Sequence, residues 1–134
     1  MEEPTMMELV EEMEVISAYS RAQALEDGVL VDITGEAEEA GFRYPVAVTR
    51  GVWGVLEPSD PLKAMGQDLR GRTWDMLMVL RHAIRQGVRM DEVHFAPLFV
   101  LKPDWKAEAV EMWSKCGPGD EGEPVITVML RGEN

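Results

Sequence analysis

The chain has 134 residues, 46% of them hydrophobic, with a single cysteine and a formal net charge of −12. That length suits one domain able to bury a core without staples. The lone Cys116 excludes an internal disulfide and suits a reducing cytoplasm. No apolar run nears the roughly 18 residues that a membrane span needs, and the opening MEEPTMMELVEEME, acidic without a base, does not read as a secretory signal. The charge is unevenly laid out. Residues 1–40 hold twelve acidic side chains against Arg21 alone, whereas residues 41–134 are nearly neutral. Such polarity steers partners and opposes non-specific nucleic-acid binding on the acidic side.

Residues 5–14 open with Thr5 and Glu8 as a capping box, and Met6, Met7, Leu9, Val10 and Met13 recur at helical spacing. An amphipathic Met-rich helix over 1–14 is expected, followed by one domain over 15–134. Its Met face either packs on the chain's own core or meets a partner, since methionine surfaces adapt to varied shapes.

From Ile16 to Trp53 the signals alternate tightly. Ser20 and Gln23 cap a helix that Gly28 ends. Val29–Ile33 reads as a strand, Thr34 as the cap of a short helix over 35–40, and Pro45–Val48 as a second strand with proline at its first position. Arg50–Leu56 reads as a short helix stopped by Pro58, and Ser59 or Asp60 starts another with Pro61. The segment 62–72, with Gly66 and Gly71, carries weak signals and suits a mobile surface section. Thr73–Gln86 is the strongest helix, with Trp74, Met76, Leu77, Leu80, Ala83 and Ile84 as its apolar face. Val93–Leu101 reads as a strand that Pro97 confines to an edge or a bulge. Asp104 then caps an expected helix over 105–115. Residues 117–119 end it, and 123–131 forms a last strand, apolar enough to be central. The strands are too few, and some helices too short, for repeated parallel crossovers. The expected fold is therefore α+β: one domain with a small mixed or antiparallel sheet and helices mainly on one face.

Four stretches carry a resemblance: YSRAQALEDGVLVD at 19–32, AGFRYPVAVTRGVW at 40–53, GRTWDMLMVLRHA at 71–83 and GPGDEGEPVITVML at 117–130. In these the chain resembles a family of small uncharacterised proteins found on bacterial plasmids, integrative elements and phages. The resemblance covers about residues 16–131 and leaves the Met-rich stretch outside it. It implies a cytoplasmic bacterial protein linked to mobile DNA, and it carries no activity, cofactor or catalytic residue with it.

Chemistry-bearing patterns are sparse. His82, His94 and Cys116 are far apart and match no metal-binding spacing, so no metal or other cofactor is expected. Asp75 and His82 share one side of a helix and read as a solvated stripe, and His94 as a half-buried, hydrogen-bonded strand residue. Cys116, expected at a helix C-terminus, lacks the positive dipole that would activate a thiol, and no catalytic residue is assigned. The loop 117–124 is acidic and unsuited to phosphate; it reads as a tight connection that starts the last strand, or else as a cation or partner contact. The least ordinary polar cluster is Tyr19, Arg21, Asp32, Arg43, Tyr44 and Arg50, which either form local ion pairs or border an anionic-ligand cleft. The acidic face is expected to comprise Glu8, Glu11, Glu12, Glu36, Glu38 and Glu39.

Three functions follow, in order of preference. The first is a non-enzymatic protein-binding accessory, acting through the acidic face on a protein that grips DNA. The second is nucleic-acid binding through Lys63–Arg89, where six bases face two acids. The third is a small enzyme at the Arg21 cluster. A protein partner is thus expected, with no membrane, and the opposite charge of the two regions invites a head-to-tail homodimer.

Overall fold

The computed structural model describes residues 20–87 and 91–133. The Met-rich stretch, with Glu8, Glu11 and Glu12, lies outside them, as do Tyr19 and Arg89. The elements in order are α1 (Arg21–Asp27), β1 (Leu30–Asp32), α2 (Thr34–Glu39), β2 (Val46–Thr49), α3 (Arg50–Leu56), α4 (Asp60–Ala64), α5 (Leu69–Gln86), β3 (Glu92–Phe95), β4 (Leu98–Val100), β5 (Ala107–Ala109), β6 (Met112–Pro118) and β7 (Pro124–Leu130). This is the α+β domain expected. No described helix is long and apolar enough to cross a membrane.

Five strands form a mixed sheet in the order β1-β2-β7-β6-β3. The β2–β7 pair is parallel, with Val46 opposite Ile126, and the other three pairs are antiparallel. The final strand is therefore central, as its apolar run predicts. Side chains alternate across a strand, so Val46, Val48, Ile126, Val128 and Met112 point to one face. They meet Ala37 of α2, Val52 and Leu56 of α3, and Met76, Leu77 and Leu80 of α5 in a single core. Ala47, Thr127, Thr49, Lys115 and Trp113 point to the other, outer face, where α1 lies.

Local chemistry explains most boundaries. Ser20 Oγ accepts from Gln23 N at 3.0 Å, and Gly28 closes α1 with φ 77°, a conformation that other residues adopt only with strain. Thr49 Oγ1 accepts from Val52 N and caps α3. Thr34 does not cap α2 as expected; it lies within the helix. Asp32 Oδ1 instead accepts from Thr34 N at 3.0 Å, and Thr34 Oγ1 accepts from Val46 N at 3.1 Å, tying α2 to β2. Helix α5 starts four residues earlier than expected, because Asp68 Oδ1 accepts from Gly71 N at 2.6 Å. Gly71 is part of that cap, since a Cβ there would stand 2.7 Å from the same oxygen.

The extra turn of α5 buries an arginine. Arg72 is 3% exposed. Its guanidinium donates to Val55 O at the end of α3 and to Val100 O at the end of β4, and it lies 5.7 Å from the Phe99 ring centroid. Nε has no hydrogen-bond partner among the described residues. Burial draws this guanidinium below its ordinary pKa. The partial negative charge at the C-terminus of α3 compensates in part.

Two expectations fail in the second half of the chain. The strand over 93–101 is two strands in two sheets, parted at Ala96–Pro97; Pro97 is buried outside both ladders, so no ladder bond is lost. The helix expected over 105–115 is absent. Asp104 Oδ1 accepts from Lys106 N in the turn of the β4–β5 hairpin, with Trp105 at φ 61° and 67% exposed. Residues 112–118 form β6, and Cys116 lies in that strand, its N–H donating to Asp91 O, rather than behind a helix.

Candidate functional site

Two of the expected acidic-face residues, Glu36 and Glu39, line a groove; Glu38 does not. Helix α2 buries Ala37 and Ala40 and turns Glu36, Glu38 and Glu39 outward. Alongside it, α5 buries Thr73, Met76, Leu77 and Leu80. Trp74 stands about 100° around the helix from Thr73 and is 43% exposed rather than part of the core. Ile84 likewise stays exposed. Between the helices lies a groove of about 570 Å³ walled by Glu36, Glu39, Asp68, Asp75, Arg70 and Trp74. It continues into a space of about 400 Å³ that reaches Ile33, Trp53 and Leu69.

Four carboxylates, one guanidinium and one indole thus line the same groove. Arg70 lies 3.7 Å from Glu39, with both side chains largely exposed, so the pair is screened and contributes little to stability. Asp68 is engaged in its cap. Glu36 and Asp75 make no hydrogen bond or ion pair among the described residues. The groove offers an aromatic surface and unspent negative charge, the combination that holds an arginine or lysine side chain.

The polar cluster expected at Tyr19, Arg21, Asp32, Arg43, Tyr44 and Arg50 is spread out. Tyr19 lies outside the described residues. Arg21 and Asp32 are neighbours over the outer sheet face, whereas Arg43 and Tyr44 are exposed in the loop before β2 and Arg50 begins α3 beyond its other end. Arg21 donates to Thr127 Oγ1 at 2.7 Å and to Ile126 O at 2.9 Å. Burial lowers its pKa, opposed by the charges of Asp32, Asp120 and Glu123.

Asp120, read from sequence only as one acid of the 117–124 loop, joins two distant parts of the chain. Its carboxylate accepts from Arg21 N at 2.8 Å and Ala22 N at 2.9 Å, capping α1 from a loop nearly a hundred residues away. Those bonds, from Ala22 first and Arg21 second, hold the carboxyl below the usual carboxylate range. Only an acid in a loop that faces a helix start could have signalled this, and no spacing rule connects positions so distant.

Of the bases expected over Lys63–Arg89, those described do not all lie on one exposed surface. Arg72 is in the interior, Arg70 faces Glu39, and Arg81 lies against Gly41. Asp75 and His82 are both exposed. His94 is exposed too, not half-buried, and stacks on Trp113 with ring centroids 6.1 Å apart. Among the described residues no three His, Cys, Asp or Glu side chains are placed to hold a metal ion.

A family model for a family of unknown function, DUF6573, matches residues 6–134. The chain belongs to that family. The match reaches further toward the start than the resemblance read from the four stretches, and takes in most of the Met-rich segment. No curated protein and no solved structure matches the chain.

Proposed function

We propose that this member of DUF6573 is a non-enzymatic protein-binding module whose α2–α5 groove takes a basic segment of a partner protein. The reading rests on one observation: Glu36 and Asp75, carboxylates without partners among the described residues, line an open groove with the half-exposed Trp74. An arginine or lysine of the partner stacks on the indole and pairs with the acids. A surface that accepts such a segment competes with DNA for proteins that grip phosphates through lysine and arginine. That chemistry fits an accessory of bacterial mobile DNA acting in the cytoplasm as an inhibitor of a host DNA-binding or defence protein. Nucleic-acid binding by the chain itself has less support, because Arg72 is buried and Arg70 is paired with Glu39.

Co-purification from a bacterial host tests the reading. A partner retained by the wild type and released by Glu36→Gln with Asp75→Asn, or by Trp74→Ala alone, is the expected result. Its retention should weaken as salt screens the charges. Retention unchanged by all three substitutions would remove the groove from the account.

A further inference from the structure

The α2–α5 groove has two compartments of different chemistry. The outer one is walled by Asp68, Asp75 and Trp74. The inner one reaches Ile33, Trp53, Leu69 and Thr73. Glu36, Glu39 and Arg70 border both. Two stripes of α5 produce the division. Residues four apart share a helix face, so Leu69 and Thr73 form one stripe, and Arg70 and Trp74 form the next, about 100° round. On a helix about 10 Å across with its side chains, such stripes stand about 8 Å apart. The two compartments are therefore within reach of one short segment.

The inner compartment is apolar and unfilled. Ile33 is buried, Trp53 and Leu69 are half-buried, and the Thr73 hydroxyl already donates to Leu69 O at 2.8 Å. Gly35 lines the same space, and a Cβ there would meet nothing within 4 Å. No left-handed backbone requires glycine at this position, and helix propensity disfavours it. What the missing side chain leaves is room.

We propose that the groove recognises a two-part motif in an extended segment of its partner: an arginine or lysine in the outer compartment and, two positions away, a large aliphatic or aromatic side chain in the inner one. The inference rests on the groove reading and deepens it. Side chains two apart in an extended chain point the same way and stand about 7 Å apart, close to the separation of the two stripes. The outer carboxylates attract any cationic segment, and salt weakens that attraction. The apolar compartment adds what charge alone does not supply: preference for one basic segment among many, through burial that salt does not screen.

The chain carries four tryptophans, and two of them report on the compartments separately, Trp74 on the outer and Trp53 on the inner. Nitrogen–proton correlation NMR of the indole N–H groups follows both in one titration, with Trp105 and Trp113 as internal references. The probes are short serine–glycine peptides carrying arginine alone, or arginine and leucine two positions apart in either order. The arginine-only peptide should shift Trp74 and leave Trp53 in place. The two-residue peptide, in one of its orders, should shift both and bind about tenfold more tightly. Gly35→Leu, which fills the inner compartment, should bring that peptide down to the affinity of the arginine-only one while the Trp74 response persists. Equal affinities with Trp53 unmoved would overturn the two-part motif and leave the groove reading standing. A Trp74 signal that no peptide moves would overturn the groove reading, and the motif with it.

Discussion

The two faces of the five-stranded sheet are held by different physics. On the core face Val46, Val48, Ile126 and Val128 are buried beneath three helices, and the stabilisation is apolar area withdrawn from water. On the outer face the short helix α1 is also fastened by polar contacts: Arg21 to β7, and the Asp120 carboxylate to the first two N–H groups of α1. The first kind of contact is insensitive to pH and salt; the second is not. The fold is therefore set on one side and adjustable on the other.

Paired truncations probe this contrast most strongly. Leu80→Ala leaves a cavity in the closed core and should cost about 2–5 kcal/mol. Leu30→Ala removes a half-buried side chain from the outer face and should cost about 1 kcal/mol or less. Urea unfolding measures both, and equal costs would erase the distinction between the faces. Arg72 is the charged exception on the core side, where Thr73 and Ser114 are the other buried polar residues described. Arg72→Lys keeps the charge but cannot bridge two carbonyls with one ammonium. It should cost about 1–3 kcal/mol by leaving the Val55 or Val100 carbonyl without a donor. A variant as stable as wild type would make the guanidinium fork dispensable.

The smallest effect carries the clearest sign. The folded Asp120 carboxyl sits below its ordinary pKa, so its contribution is complete above the unfolded carboxylate range, near pH 3.9. It is lost as pH falls through the lower, folded value. Asp120→Asn should therefore melt below wild type at neutral pH, and the two melting curves should converge on acidification below about pH 3. Curves that stay equally far apart at every pH would show that the carboxylate's charge is irrelevant to α1.

What could be read ahead of the structure follows the range of the interactions. The cap at Ser20, the stop at Gly28, the helix over Arg50–Leu56 and the central place of β7 all rest on residues close in sequence or on simple apolar content. The region 105–115 misled because Trp105, Ala109, Met112 and Trp113 sit at helical intervals. Their conformation is decided by partners: Met112 faces Leu130 and Trp113 faces Met129 across the sheet, and such pairing overrides local preference. The early start of α5 was obscured by Gly71, a poor helix former that is needed for its nearness to Asp68. At the candidate site, Glu36 and Glu39 were legible as acids, but Trp74 read as core because the stripe is broad and its edge depends on where α2 packs. Asp120 was legible as a loop acid, but not as a cap, since the helix it caps lies nearly a hundred residues away.

The parallel pairing of β2 with β7 has a consequence for synthesis. The central strand of the sheet is the last to be made, and its partner is residue 46 opposite 126. Until that late segment leaves the ribosome, β2 and the helices around it lack the neighbour that closes their interior. Assembly of this sheet must wait for residues 124–130, so a ribosome stalled shortly before residue 124 would hold a chain with exposed apolar surface, a natural client for chaperones.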